Sequence, residues 1–421
     1  MGPINLYYDY RDIFRAPRLA LSGKKIWIFI VGNLAGFILY WLSSYLSLSM
    51  AGMSFGNAIA KYGLYPCLYG NEAEWYSWLL YYFGIIAWIV AVLFSCTAVS
   101  RVTLKQLKGN DFFSAGDAWS YVCKHWHAIV FSPVAITLII VFFVLFAALF
   151  ALVCTLPYLG EFLFAIPYFI YLFGSIFTIY SLIVLFVSIV YTPSIVGVYE
   201  EDTMGTVFNS YSITVGHAWR IVLYHLLLLP LLALGLEIFS WFAMNGIGFI
   251  NYIFGCEWFM GATLTNMTNY ASSIVCPQWI CDTVACIRNE VTGWFGLCYC
   301  IPSIFSANCT ILPATMSSAV TVASTLLSVS YLLIGLSILS YGLSIISVGE
   351  TIMFIIFKKK SDDDDLLQRK DEDEIDDDFD DDFTFEDADI ETQETSSSSS
   401  EINTDPDEKD ESDNDSYQED E

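Results

Sequence analysis

The sequence predicts an all-α integral membrane protein with about six transmembrane helices, two cytoplasmic amphipathic elbow helices, a Cys-rich external loop and a disordered acidic C-terminal tail. Three observations support this prediction. Long apolar runs in the first 360 residues are separated by short polar stretches, and a membrane span needs about 20 apolar residues. Basic residues cluster in alternate connections between these runs. Residues 361–421 hold 30 of the 45 acidic residues of the chain and three of its 18 basic residues.

These patterns divide the chain into three parts. A basic and aromatic cytoplasmic leader covers residues 1–25, the six-span membrane domain covers 26–357 with its external loop at 246–317, and the basic stop with the disordered cytoplasmic tail covers 358–421. The first apolar run is too long for the core of a cleavable signal peptide, so we expect the first span to serve as an uncleaved signal. The six spans are predicted at 26–50, 75–100, 128–155, 162–190, 221–245 and 318–345.

The distribution of lysine and arginine predicts the orientation. With six spans, thirteen basic residues of the membrane domain and its flanks fall on one side, and only Lys61 and Arg288 fall on the other. Because basic connections stay in the cytoplasm, we expect both termini to be cytoplasmic and the protein to be integral to the plasma (inner) membrane. The thirteen residues are Arg11, Arg15, Arg18, Lys24, Lys25, Arg101, Lys105, Lys108, Lys124, Arg220, Lys358, Lys359 and Lys360.

Eight cysteines fall in the segments predicted to be external. A cysteine-dense external loop favours disulfides in an oxidising compartment, although the sequence does not choose their pairing. Zinc is the alternative, but the spacings are CxxxxC and CxC rather than paired CxxC knuckles, and all four histidines lie elsewhere. The candidate disulfide cysteines are Cys67, Cys256, Cys276, Cys281, Cys286, Cys298, Cys300 and Cys309.

A repeated pattern precedes the third and fifth spans. His125 matches His217 at an offset of 92 residues, Trp119 matches Tyr211 at the same offset, and both copies end with an aromatic residue and a base. Each copy is typical of an amphipathic helix that turns into a span, with side chains suited to the headgroup layer. The repeat is parallel, because each copy joins an inward to an outward span. The predicted interfacial anchors are Trp119, His125, Trp126, His127, Tyr211, His217, Trp219 and Arg220.

Ionisable residues inside predicted spans are the candidates for chemistry. Glu237 lies deepest in the fifth span and His225 lies nearer its start, so both are candidates for an intramembrane ion or proton site. The alternative is a hydrogen-bonded carboxyl that packs between helices. The sequence contains no P-loop, HExxH or GxSxG pattern. We therefore expect no enzyme activity, no cofactor and no metal.

The leader and the tail each allow two interpretations. The leader is either a helix on the anionic leaflet or simply the basic flank that fixes the topology. The tail has too little apolar surface to fold alone. It either docks a basic protein partner through Phe379, Phe383 and Phe385, or remains a solvated spacer. Its negative charge excludes nucleic acid as a partner. The other predicted partner is the lipid bilayer, which the six spans require.

Three stretches resemble an uncharacterised family of bacterial, planctomycete-like inner-membrane proteins with six spans. They are AVSRVTLKQLKGNDFFSAGDAWSYVCKHWHAIVFSPV at 98–134, TPSIVGVYEEDTMGTVFNSYSITVGHAWRIVLYHLL at 192–227, and ETIMFIIFKKKSDDDDLLQ at 350–368. The resemblance covers the core, covers the external cysteine loop poorly and does not extend to the long acidic tail. It implies a membrane location and this topology, and no activity.

The absence of catalytic patterns and the acidic tail favour a non-enzymatic scaffold or accessory subunit of a membrane complex that docks a basic partner. The alternative is a transporter or permease component with a site between the two parallel repeats, and Glu237 motivates it. A weaker alternative is a lipid-handling enzyme with a polar cluster around His125, His127 and residues 200–202.

Overall fold

The computed structural model describes residues 6–276 and 317–369, which form ten α-helices and no strand. A short 3-10 helix at Tyr10–Arg15 precedes the first of them. The helices are α1 at Ala16–Ala20, α2 at Gly23–Met50, α3 at Phe55–Tyr62, α4 at Trp75–Leu107, α5 at Ala115–Val153, α6 at Leu159–Ala165, α7 at Tyr168–Tyr199, α8 at Thr203–Phe254, α9 at Ala262–Val275 and α10 at Ser318–Ser361.

Six helices are long and apolar enough to cross a membrane: α2, α4, α5, α7, α8 and α10. This confirms the prediction of an all-α, multi-pass membrane protein. The helices are 28 to 52 residues long, whereas about 20 residues cross the hydrocarbon layer. Because a helix rises about 1.5 Å per residue, the longer helices extend well beyond the hydrocarbon layer.

Helices α5 and α8 each join a polar first segment to an apolar span. The backbone leaves helical values at His125 (φ −106°, ψ 17°) and again at His217 (φ −133°, ψ 18°). Both helices begin at a capped residue. The Ser114 and Asp117 side chains form a capping box, and the Asp202 carboxylate accepts from the Gly205 amide at 2.7 Å.

Several predicted span boundaries differ from the helices. The predicted run 162–190 is divided at Pro167, because α6 ends at Ala165 and α7 begins at Tyr168. Proline lacks the amide hydrogen that a helix interior needs, and its ring crowds the preceding turn. The last span is predicted to end at residue 345, whereas α10 continues to Ser361, and residues 347–358 of this extension are buried.

The core lies where the C-terminal halves of α4, α7 and α10 meet. The Ser347 hydroxyl donates to the Cys96 carbonyl at 3.0 Å, and the Thr351 hydroxyl bonds to that of Ser100 at the same distance. Both contacts join residues 251 positions apart, so α4 and α10 run parallel here. Hydroxyl groups that are satisfied within the bundle allow such polar helices to be buried.

Small residues set the closest helix contacts. A side chain at Gly32 would overlap the Ser95 hydroxyl, and one at Gly36 would meet the Trp88 ring at 2.5 Å. The GxxxG pattern of α2 therefore serves packing against α4 within one chain. At the α4–α7 crossing, a Cβ on Gly197 would lie 2.9 Å from the Thr97 carbonyl oxygen.

The cysteine prediction is only partly covered by the described residues. No disulfide joins any two of the six cysteines in residues 6–276, which are Cys67, Cys96, Cys123, Cys154, Cys256 and Cys276. The remaining candidate cysteines lie outside the described residues, namely Cys281, Cys286, Cys298, Cys300 and Cys309. The three tail phenylalanines Phe379, Phe383 and Phe385 also lie outside them.

Candidate functional site

A buried ion pair forms the centre of the first candidate site. Arg101 of α4 contacts the Glu200 carboxylate at 2.5 Å, and the side chains are 0% and 7% exposed to solvent. The guanidinium also lies over the ring of Tyr121, with 4.5 Å from Cζ to the ring centroid. We call Arg101, Glu200 and Tyr121 the polar core.

Three helices position the polar core. Glu200 follows the last residue of α7 and adopts a left-handed conformation (φ 60°, ψ 29°), which turns its side chain away from the helix path. That conformation costs a residue with a Cβ about 1–2 kcal/mol. The Tyr121 hydroxyl of α5 donates to the Val196 carbonyl at 2.7 Å and so attaches α5 to the end of α7.

The electrostatics of the polar core make it sensitive to loss of either partner. Two charges removed from water each lose several kcal/mol of hydration, which their attraction offsets only when both are present. Arg101 supplies a fixed fork of donors and remains protonated at physiological pH. The arrangement therefore holds α4, α5 and the end of α7 together as one unit.

Glu350 and Lys25 are also buried, and neither makes an ion pair among residues 6–276 and 317–369. Glu350 of α10 is 6% exposed and lies close enough to Tyr191 and Cys96 to interact electrostatically with both. Lys25 at the start of α2 is 0% exposed, and its ammonium donates to the Leu19 carbonyl at 3.0 Å. Buried charges usually have a partner, so both positions are unusual.

The two predicted intramembrane residues are not brought together. His225 bonds through Nδ1 to the Ile221 carbonyl at 2.8 Å, and its ring meets the Tyr191 ring edge-on at 5.8 Å between centroids. Glu237 is half-buried, and its Oε2 atom is buried with no hydrogen-bond partner in the described structure. The two residues are 12 positions apart on α8, which is about 18 Å along a helix.

The predicted interfacial anchors lie in two kinds of environment. His217 is 8% exposed and bonds through Nε2 to the Phe357 carbonyl at 3.1 Å, so it packs in the interior. His125 is half-buried and stacks on Tyr121 at 4.3 Å, beside the polar core. Trp119 and Tyr211 are half-buried, whereas Trp126, His127, Trp219 and Arg220 are exposed.

A second candidate site lies where the chain leaves α10. The Tyr8 hydroxyl donates to the Asp365 carboxylate at 2.7 Å, and Lys360 pairs with Asp9 at 3.0 Å. We call these four residues the exit clamp. Next to it, the Leu366 side chain is 2% exposed and packs into the core.

The N-terminal segment that forms half of the clamp packs one side against the helix bundle. Ile13 and Ala16 are completely buried, and Tyr341 and Ser344 of α10 donate to the carbonyls of Pro17 and Ala20. The buried residues Ile13, Ala16 and Ala20 therefore belong to the core. This packing fixes the position of Tyr8 and Asp9, and hence of the chain that follows α10.

The charge distribution around the clamp shifts two pKa values. Burial and the neighbouring Asp365 carboxylate raise the pKa of Tyr8 above its usual range, so its phenol keeps the donated proton. The hydrogen bond from Lys358, at 2.8 Å, lowers the pKa of Asp362. Both shifts favour the protonation states that form these contacts at neutral pH.

In the described ranges, no group of three His, Cys, Asp or Glu side chains is placed to hold a metal ion. Comparison with family models, curated proteins and solved structures found no match. The function is therefore inferred from the geometry of this chain alone.

The burial of Arg101, Lys25 and Glu350 was not predicted from the sequence. The distribution of bases places Arg101 and Lys25 among the cytoplasmic positive charges, and Glu350 lies beyond the predicted end of the last span. The available signal was the serine and threonine content of the same stretches, which is typical of helices that pack on other helices rather than on lipid.

Proposed function

We propose that the chain is a non-enzymatic scaffold or accessory subunit of a membrane complex that docks a basic protein partner through its acidic tail. In this proposal both termini face the cytoplasm of a plasma (inner) membrane. The bias of thirteen basic residues to one side supports that orientation.

The exit clamp is the observation that carries the proposal. Tyr8, Asp9, Lys360 and Asp365 hold the first residues after α10 against the membrane domain. The chain is therefore held close to the helix bundle as far as Asp365. A tethered anionic segment raises the local concentration of a basic partner at that point and speeds its association.

A truncation that leaves the clamp intact tests the proposal. The full chain and a chain ending at Gln368 would be purified in mild detergent, with mass spectrometry of the proteins that accompany each. We expect a basic protein in stoichiometric amount with the full chain and its absence from the truncated one. Two monodisperse preparations without any partner would contradict the proposal.

A triple substitution separates docking from bulk charge. Replacement of Phe379, Phe383 and Phe385 by alanine leaves every tail charge in place and removes its aromatic anchors. If these residues anchor the partner, we expect its yield to fall in the triple variant. Full retention of the partner would assign recognition to charge alone.

Transport is the second candidate function, and the unpartnered carboxylate oxygen of Glu237 favours it. A site between two parallel repeats would use this carboxylate to carry a proton or ion. The matched backbone changes at His125 and His217 support such a repeat. Proton flux would be measured in vesicles that contain wild type, Glu237→Gln or the control Glu161→Gln. Flux with wild type and the control, but not with Glu237→Gln, would support transport over docking.

A further inference from the structure

An apolar cavity of about 470 Å³ lies between four of the long helices. Residues of α2, α4, α8 and α10 line it, and it is bounded at one end by Tyr65 and by Val275 of α9. Its volume is in the range of small-molecule sites in proteins. Most of its wall is leucine and isoleucine, and the main contributors from α8 and α10 are Leu232, Leu236, Leu336, Ile338, Leu339 and Leu343.

The few polar groups at the cavity wall already have partners within the protein. The Asn33 amide donates to the Phe29 carbonyl at 2.9 Å and its oxygen accepts from the Trp88 indole at 3.4 Å. The Tyr65 hydroxyl donates to the Val275 carbonyl at 2.8 Å. Burial raises the pKa of Tyr65 to about 12, so this phenol stays neutral.

This wall selects against a polar occupant. A solute with hydroxyl, amide or charged groups would lose its hydration in the cavity and find few partners to replace it, at a cost of several kcal/mol for each group. Water faces the same penalty, because a buried water needs two to four polar partners. A hydrocarbon carries no such cost and gains dispersion contacts with the leucine side chains.

We propose that this cavity binds one acyl chain of a membrane lipid. The four long helices that line it are long and apolar enough to cross a membrane, and acyl chains are the solvent that surrounds such helices in a bilayer. Acyl-chain binding is independent of the proposed docking function, because it depends only on the wall of the cavity.

Gly335 provides a way to fill the cavity without disturbing its wall. It lines the cavity, and a Cβ added there would meet no atom within 4 Å. A phenylalanine at this position can therefore occupy the space of the bound chain. Gly246 of α8 is an exposed helical glycine with equally open surroundings and does not line the cavity, so Gly246→Phe is a matched control.

Photo-crosslinking in vesicles tests the proposal. The full chain would be reconstituted in phosphatidylcholine and phosphatidylglycerol that include a phospholipid with a diazirine in the middle of one acyl chain. After illumination, mass spectrometry would locate the adducts. We expect adducts on the α8 and α10 residues of the cavity in wild type and in Gly246→Phe, and their loss in Gly335→Phe.

Three results would overturn the proposal. They are the absence of cavity adducts in wild type, equal cavity labelling in Gly335→Phe, and labelling of the cavity by a water-soluble diazirine. The smaller Gly335→Leu serves as a second variant if the phenylalanine form does not yield monodisperse protein. The wild-type result decides the question even if neither variant folds.

Discussion

Arg101 of α4 and Glu200 at the end of α7 form an ion pair of 2.5 Å that is almost completely closed to solvent. The residues are 99 positions apart in the sequence, and Arg101 lies within α4 whereas Glu200 directly follows α7. Their contact, together with Tyr121 of α5, joins the two halves of the chain that carry the repeated pattern. The interior of this membrane domain is thus held by charge and hydrogen bonds as well as by apolar packing.

Replacement of Glu200 by glutamine should strongly destabilise the protein. The change leaves the Arg101 charge buried without its counterion, which typically costs about 3–5 kcal/mol. We expect a lower midpoint of thermal unfolding in detergent. The double variant Arg101→Met, Glu200→Gln should recover much of the loss, because no unpaired charge remains. If Glu200→Gln were as stable as wild type, the ion pair would contribute nothing to stability.

Replacement of Glu350 by glutamine, in contrast, should not destabilise the protein. Glu350 is buried, as is the side chain of Glu200, but it makes no ion pair in the described structure. Glutamine has nearly the same shape and removes a group whose ionised form is costly to bury. We expect the variant to fold and to unfold at a temperature equal to or above that of wild type. Thermal unfolding of Glu350→Gln and Glu200→Gln in the same detergent would distinguish a buried carboxyl without an ion pair from one that neutralises a buried arginine.

The helix contacts predict a contrast between two glycines of α7. In Gly197→Ala, the new methyl group would lie 2.9 Å from the Thr97 carbonyl oxygen, and such crowding costs on the order of 1–3 kcal/mol. Gly174→Ala is the matched control, because nothing lies within 4 Å of its Cβ position. Alanine also favours a helix, so the control should be neutral or slightly stabilising. Equal unfolding midpoints would contradict the close crossing of α4 and α7.

Hydropathy in the sequence predicted the six spans, because a run of about 20 consecutive apolar residues is typical of a membrane helix. It did not predict the full helices. Residues 347–358 of α10, for example, are buried by other parts of the protein, and hydropathy does not distinguish apolar residues buried in this way from those that face lipid. Hydropathy also did not predict which side chains surround Arg101 and Glu350. Which side chains face each other depends on helix rotation and crossing, and hydropathy along one sequence does not determine these.

The exit clamp predicts a difference between Tyr8→Phe and wild type. The variant keeps the ring and loses the hydrogen bond to Asp365. We expect the chain after Ser361 to separate from the N-terminal segment more often, because the hydrogen bond that joins Asp365 to this segment is gone. Spin labels at Leu6 and Gln368 would report a broader distance distribution in the variant. Tyr7→Phe, a change of the exposed neighbour, is the control and should leave the distribution unchanged.

Acidification should weaken the same region through Asp362. The bond from Lys358 lowers the pKa of this carboxylate in the folded protein. A group with a depressed folded pKa contributes stability that is present above its unfolded pKa, near about 3.9, and is lost as the pH falls through the folded value. We therefore expect the spin-label distribution of wild type to be constant near neutral pH and to broaden below about pH 4. In Asp362→Asn the contribution of this pair is absent at every pH, so its distribution should change less on acidification. Identical pH profiles for the two proteins would show that another carboxylate controls the transition.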